Sequence, residues 1–550
     1  MESGRFLLAI VLMIAVVIVT NVIFPPSRAA SPPVTAADTA FAPADTNRIT
    51  PPAAVVDTPP APTATATASA PADTVLVRSP LFEYGFSTRG GALVSARLLQ
   101  YQSFADGTDG ELADLVPRGT ALVRLRLSTG NQMIDLQQLS FRAQPASLEL
   151  SATDRKPLRL LHDDGAGLRI ELNYEFRADD YTIDVNGRVS GAGPSAQLRL
   201  DMGPRLGGNE ADFREDERAM AWVVNNLQTG IQSVPLTRLR EQRIENGPLG
   251  WVALKSKYFL VAAMQTERGA PFGGVLAVPG SVPATAELSS TLLANEQGEF
   301  AYRLYVGPQQ FDRLAAQGNQ LQDVSVFGWR FLQPVLRPLG HAITWALLQM
   351  HRVLGLGYGW VLVLFGFLIR FLLWPLNAKA MRSQLKNMEM QPRIKEMQAR
   401  FKNDPQKLQQ EMLKLYKEEG FNPMGGCLPM LLPLPVLITL FFVFQGTIEF
   451  RGVPFLWLPD LARKDPIYVL PILLGLSMFV QQWLNLKSTK DAPPQMKWMT
   501  WFMPIFLTFL FLNFASGLNL YYAAMNLASV PQQLQIMRER ERRAQAKKPG

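Results

Sequence analysis

One cysteine, Cys427, and three histidines, His162, His341 and His351, are all that 550 residues offer of the side chains most used for disulfides and transition metals. A single thiol excludes an intramolecular disulfide. With no HExxH and no Cys/His cluster, neither a metal nor any other cofactor is expected. No GxxxxGKS or GxxxxGKT loop occurs, so nucleotide-driven pumping has no support. Aspartate and glutamate are missing from the long apolar stretches of the C-terminal third, where serine and histidine form no recognisable catalytic set either. The reading is of a protein that is not an enzyme.

What is present is strong segregation. Mean hydropathy is only +0.05, yet residues 1–24 and about 355–537 are oily while most of 25–325 has a water-soluble composition. Phe6–Phe24 is uncharged and long enough to cross a ~30 Å hydrocarbon core, so 1–24 reads as an uncleaved N-terminal transmembrane anchor, although SRAAS resembles a cleavage site. Residues 25–72 are rich in Pro, Ala and Thr, a composition that buries too little apolar surface to order, and read as a disordered tether.

Residues 73–325 alternate apolar and polar side chains. In LRIELNYEF, Leu168, Ile170, Leu172, Tyr174 and Phe176 share one face, and after RADD the alternation resumes at Tyr181, Ile183 and Val185, which predicts an antiparallel hairpin. ALVRLRLS and AYRLYV repeat the pattern, giving a large β-sandwich domain, with Phe311–Gln322 helical. Residues 326–354, broken by Pro334 and Pro338, read as an interfacial amphipathic helix. Residues 355–537 hold five candidate spans, at about 357–376, 427–445, 467–486, 498–514 and 517–537, and 538–550 form a basic cytoplasmic tail.

Charge orients this arrangement. Asn377–Gly420 carries ten Lys/Arg against six acids, and the chain from Gln532 carries six against two. The loop 446–466 is balanced, with Arg451, Arg463 and Lys464 against Glu449, Asp460 and Asp465. The positive-inside rule then puts both termini in the cytoplasm and residues 25–355 outside. This explains the net charge of +8 without nucleic acid.

Arg370 stands inside GYGWVLVLFGFLIRFLLWPL. A guanidinium does not shed its proton, and at mid-bilayer it costs roughly 2.5–3.5 kcal/mol on insertion scales. Either it snorkels toward the headgroups past Leu376, or it faces a water-filled groove. On the last span Asn519, Tyr522, Asn526 and Ser529 recur at helical spacing, with Gln533 extending the row. Such a row either glues helices together or lines the same groove. The loop segment 377–420 reads as two helices around Asn403-Asp404-Pro405, a cytoplasmic hairpin. Its methionines, among them Met397 and Met412, either pack its seam or offer an adaptable contact surface.

Several stretches together resemble one family. These are Arg370 with Trp374-Pro375-Leu376, Asn422-Pro423-Met424-Gly425-Gly426-Cys427 with Pro429, Pro471-Ile472-Leu473, and Ser516-Gly517-Leu518 with Leu520-Tyr521-Tyr522 and Asn526. Thr88-Arg89-Gly90-Gly91 and Trp251-Val252-Ala253 add to them in the outer domain. The chain resembles the YidC-type membrane protein insertases of Gram-negative bacteria. Two positions depart from that pattern, Pro433 and Ala515, where the family often has Gln and Pro. The resemblance implies a multi-pass helical protein of the inner membrane, an anchor plus a five-span core, with a periplasmic β-supersandwich. It implies insertion and folding of membrane proteins, alone or with the Sec translocon, through a hydrophilic groove bearing Arg370 and lined by Asn519, Tyr522 and Asn526. It also implies nascent membrane proteins, the ribosome and the lipid bilayer as partners, and no small-molecule substrate. From the residues alone two other readings stand: a transporter or channel for an anionic solute bound at Arg370, and a tethered sugar-binding β domain.

Overall fold

A computed structural model describes residues 73–375, 393–418, 434–487 and 494–546, apart from 109, 130–131, 194–195, 326–327, 329–331, 395 and 402–403. The expected anchor, tether and most of the first hairpin limb lie outside the described residues.

Among the described residues nineteen strands join in one hydrogen-bonded network that folds into two layers. The first runs β14 (Gly230–Pro235), β13 (Ala221–Asn226), β15 (Arg243–Lys255), β16 (Phe259–Gln265), β19 (Glu299–Pro308), β11 (Thr182–Ser190), β10 (Arg169–Arg177), β9 (Arg155–Asp163), β7 (Arg142–Gln144). The second runs β15 again, β17 (Phe272–Pro279), β18 (Ala286–Leu292), β12 (Gln197–Met202), β5 (Val123–Thr129), β3 (Leu93–Gln102), β2 (Phe82–Ser87), β1 (Thr74–Arg78), β8 (Leu148–Glu149), with β4 (Leu112–Asp114) on β3 and β6 (Gln132–Asp135) on β5. β15 belongs to both layers. Its first half pairs with β17 and its second with β16. The change comes at Gly247-Pro248, where the register slips and proline supplies no ladder donor.

The expected hairpin is β10–β11, paired Tyr174 to Val185 and Phe176 to Ile183. Its inward residues meet the other layer. The Phe86 ring lies 4.9 Å from Tyr174 and 5.6 Å from Phe176. The Tyr84 hydroxyl donates to the Val306 carbonyl. Thr88-Arg89-Gly90-Gly91 explains itself here. Both glycines have positive φ, and a Cβ on Gly91 would press on Leu160, Leu172 and Tyr174 at 3.0 Å. Trp251 Nε1 donates to the Asn319 carbonyl (2.8 Å), tying the sandwich to the segment that leaves it.

Two short helices, α1 (Phe213–Ala219) and α2 (Phe311–Ala316), belong to the β domain. The latter is shorter than the expected helix, which resumes only as a 3-10 turn at Leu321–Val324. α3 (Gln333–Leu354) follows. Prolines do not break it, contrary to expectation. Pro334 sits in the first turn, where its missing N–H costs nothing, and the helix continues through Pro338. Asp323 anchors its start, with His341 Nε2 at 2.9 Å and Arg337 Nη1 at 3.4 Å. α3 ends at Gly355 (φ +65), and α4 (Tyr358–Leu372) leaves at 118°.

Further helices among the described residues are α5 (Pro405–Glu418), α6 (Leu434–Gly446), α7 (Val469–Lys487), α8 (Pro494–Phe511) and α9 (Ser516–Ala546). Among the described residues no single helix is long and apolar enough to cross a membrane by itself, and only the bent pair α3–α4 passes jointly. Asp404 Oδ1 accepts the Lys407 amide (3.0 Å) and so caps the start of α5. α9 does not end at 537 but runs on through the basic stretch to Ala546.

α4 lies along α9. Gly366 permits it, since a Cβ there would stand 3.0 Å from the Tyr521 carbonyl and 3.1 Å from Ala524 Cβ. Gly366→Leu is expected to lower the thermal unfolding midpoint of the purified protein by several degrees, a cost of about 1–3 kcal/mol from overpacking. Gly446→Ala, within α6, where the added methyl meets only Ser325 at 4.0 Å, serves as the neutral control. Equal midpoints for both would show that the two helices do not pack at Gly366.

Candidate functional site

Arg370 occupies the last turn of α4 and is partly exposed. The sequence suggested no internal partner for it, but it has one. Nη2 donates to Oε1 of Gln532 on α9 at 2.6 Å. Nε is buried without a hydrogen bond, as is Gln532 Nε2. An amide oxygen offers a dipole and no charge, so the cation is held but not neutralised. The row on α9 was expected to continue at Gln533. Gln533 instead turns to Ser529 Oγ (3.1 Å), and its neighbour Gln532 meets the arginine.

The structure does not gather the rest of the row around Arg370. Asn519 is fully buried, and its Nδ2 donates to the Phe511 carbonyl at the end of α8 (3.1 Å). Tyr522 is buried with its ring 5.5 Å from Phe511. Asn526 Nδ2 donates to Ser477 Oγ on α7 (3.1 Å), and Ser529 Oγ to the Asn526 carbonyl (2.6 Å). At 1.5 Å per residue, Asn519 lies about 20 Å along the helix from Gln532. At 3.6 residues per turn, Asn526 and Gln532 point about 120° apart. Asn519 thus serves a buried seam between helices, Asn526 faces α7, and Gln532 is the polar side chain that bonds to α4. The gluing reading fits Asn519 and Asn526 in this arrangement.

A second charged constellation was missed. The loop after α6 sends Arg451 into the β domain. Its side chain is 2 % exposed, with Nε 2.7 Å from Glu210 Oε1 and Nη2 donating to the Asn209 carbonyl (2.9 Å). Its guanidinium lies 4.2 Å from the centre of the Phe104 ring and 5.4 Å from that of Phe259. In the sequence Arg451 was only one charge of a balanced loop, because its partner lies 241 positions earlier. The loop's acids also act structurally. Asp460 Oδ1 caps the Ala462 amide (2.8 Å), and Asp465 Oδ2 accepts the Leu470 amide (2.8 Å) at the start of α7.

Beside this plug, Lys255, Gln309, Thr344 and Glu449 line a cavity of about 150 Å³. Lys255 Nζ donates to Ser325 Oγ (3.1 Å), and burial pushes its ammonium down to about 8. Glu449 Oε2 is buried without a partner, and burial pushes the carboxyl up to about 7.

Comparison with known proteins agrees with this two-part construction. A family profile described as YidC periplasmic domain matches residues 74–339, and one described as 60Kd inner membrane protein matches 349–544. The membrane protein insertase YidC of Maridesulfovibrio salexigens is 30 % identical over 569 residues, covering 98 % of this chain and 99 % of that one. The chain belongs to the YidC membrane protein insertase family. The Chlorobaculum tepidum insertase is also 30 % identical, over 84 % of this chain and 81 % of its own length. A crystal structure titled as an active YidC insertase with its first transmembrane domain resolved aligns at 18 % identity and a TM-score of 0.34, covering 84 % and 92 % of the two chains. The 60Kd inner membrane protein profile covers Arg370, Arg451 and all of the row on α9.

Two outcomes follow from the buried charges. Arg451→Met leaves Glu210 buried and uncompensated, so it is expected to destabilise the protein by about 3–5 kcal/mol. Adding Glu210→Gln should recover a large part of that, and strictly additive effects in chemical denaturation would show that the two side chains do not interact. Glu449 provides the pH dependence. Its folded value of about 7 lies above its ordinary value of 4.5. Between those limits the unfolded chain releases the proton and the folded chain keeps it, so stability falls as pH rises through the window, by on the order of 3 kcal/mol. The gap in unfolding midpoint between Glu449→Gln and the unaltered protein should therefore widen from pH 4.5 to 7, and a constant gap would contradict a raised carboxyl.

Proposed function

We propose that this protein is a membrane protein insertase and folding chaperone of the bacterial inner membrane, with Arg370 and Gln532 at the heart of its substrate groove. The names of its relatives across nearly the whole chain support the general activity. In this reading 1–24 is the anchor, 73–325 the periplasmic domain and 326–354 an interfacial helix. Helices α4, α6, α7, α8 and α9 are the five crossings, and both termini lie in the cytoplasm. The lysine- and arginine-rich loops support that orientation. Nascent membrane proteins and lipid are the partners. Ribosomes would meet the 377–420 hairpin and the basic end of α9, and the Sec translocon would receive or supply substrates alongside it. No covalent chemistry is required of any residue.

The observation that carries the groove is the state of Arg370: a permanent cation on an apolar helix, partly exposed, meeting one neutral amide among the described residues. A short polar tail entering from the cytoplasm exchanges part of its hydration for the guanidinium and the amide. Tyr522 and Asn526 hold α9 against its neighbouring helices and Asn519 holds the far seam, so the polar surface that the tail meets is that of Arg370 and Gln532. Acidic tails gain most, because a charge pair strengthens as the local dielectric falls. The following apolar segment partitions into lipid, and about 20 such residues supply the free energy of insertion.

Replacing Arg370 by alanine is expected to slow insertion of a substrate with an acidic translocated tail about tenfold, equivalent to ~1.4 kcal/mol in the barrier. Arg370→Lys should recover part of the rate, and a substrate with an uncharged tail should be less affected. Normal insertion of the acidic substrate at normal protein levels would remove Arg370 from the mechanism. Flux of small anions through reconstituted vesicles would instead favour a solute pathway.

A further inference from the structure

A cavity of about 580 Å³ lies between the β domain and the helical core, within the range of small-ligand sites. Its apolar wall comes from Phe441 and Phe444 of α6 and Phe514 of the α8–α9 turn. Its polar wall comes from the β domain and the loop after α6. The four carboxylates there are already engaged. Glu210 pairs with Arg451 and Glu215 with Lys257 Nζ (2.9 Å). Asp212 accepts the Glu215 amide and Asp460 the Ala462 amide. Three cations are not engaged in this way. Arg218, Arg463 and Lys464 line the cavity, are exposed, and form no salt bridge among the described residues. One side of the cavity is therefore aromatic; on the other, Asp212 and Asp460 keep their charge although they accept amides, so Arg218, Arg463 and Lys464 leave a net positive excess of one.

We propose that this cavity binds the headgroup and upper acyl chain of an anionic phospholipid of the outer leaflet. The inference rests on the reading above only in taking α6, α8 and α9 as membrane crossings, which sets the cavity at the level of their outer ends. The neighbouring surface fits that level. Leu456, Trp457, Ile467 and Tyr468, on the same loop and at the entry to α7, are all substantially exposed, as apolar and aromatic side chains are at a membrane interface. The phosphodiester meets Arg218, Arg463 and Lys464, and the glycerol and first methylenes lie on the phenylalanines. A soluble phosphate lacks the second half of this match, and an acidic peptide lacks the acyl chain. Lipid held here fills the space under the β domain beside the Arg451 plug.

The test uses the full chain, extracted in mild detergent and examined by native mass spectrometry with mixed phosphatidylglycerol and phosphatidylethanolamine. The intact protein should retain phosphatidylglycerol preferentially. Arg218→Gln, Arg463→Gln and Lys464→Gln combined should lower that retention about tenfold or more, since each basic side chain near a lipid surface contributes severalfold in affinity. Removing the same charge from the exposed Arg238, Arg240 and Arg243, outside the cavity, should leave retention unchanged. Undiminished retention in the first variant overturns the proposal. So does full displacement of the lipid by inorganic phosphate or by a glutamate-rich peptide. Insertion by the same variants, measured separately, distinguishes this outcome from failure of the insertase reading, since an empty lipid site with Arg370-dependent insertion leaves that reading intact.

Discussion

A guanidinium keeps its proton wherever the fold takes it, so each arginine drawn out of water needs something in place of its hydration. This chain meets that requirement in two different ways. Arg451 is given a carboxylate, a carbonyl and aromatic faces, and is sealed. Among the described residues Arg370 meets one amide oxygen, and it is left partly open. The first arrangement is complete and suits a structural tie. The second is incomplete, and an incomplete site can take an outside ligand. Burial of a charge with a full set of partners and burial with a partial set are thus distinct physical states, and the molecule places one at each end of its helical core.

The two ends are connected by short steps. Arg451 fixes the loop after α6 to the β domain. That loop receives the α8–α9 turn: the Ser516 amide donates to the Arg463 carbonyl (2.7 Å), the Gly517 amide to the Leu461 carbonyl (2.8 Å), and Ser516 Oγ to the Asp460 carbonyl (2.9 Å). Gly517 is required there, because a Cβ would stand 2.7 Å from the Phe444 ring and 3.1 Å from the Leu461 carbonyl. From that turn α9 runs unbroken to Gln532. The position of the amide facing Arg370 is therefore set partly by contacts at the opposite end of the helix.

How much of this was legible in the sequence depends on the range of the interaction. Strand alternation was readable because one face of each strand is buried, and a slip of one residue would expose it; β10 and β11 follow it residue by residue. The division of β15 between two layers was not readable, since Gly247-Pro248 marks an irregularity but names no partner. Arg370 stood out against its apolar neighbours. Gln532 did not, because periodicity on α9 points to Gln533 and one residue shifts the direction by about 100°. What selects Gln532 is the path of α4, and that is fixed by the close approach at Gly366. Arg451 was invisible as a plug, because net charge counts residues without regard to depth. The prolines of α3 misled for a related reason: the position of a proline within a helix, and not its presence, decides whether the helix breaks.

The polar residues of α9 show why composition alone could not assign their roles. Asn519 and Asn526 share a residue type and a face, yet the first lies at a helix junction and serves a backbone carbonyl, while the second serves a serine on a neighbouring helix. In an apolar surrounding each of these bonds removes an unsatisfied group and adds little net stability, so each locates helices more than it strengthens them. Gln532 differs in what it faces. Its oxygen is committed to a cation that it cannot neutralise, and its own Nε2 remains without a hydrogen-bond partner. Asn519 Oδ1 is buried without a partner too, but it lies in a closed helix junction, whereas Gln532 stands beside a partly exposed cation. An unmet hydrogen-bonding capacity of that kind lowers the cost of bringing a polar segment into the same surroundings.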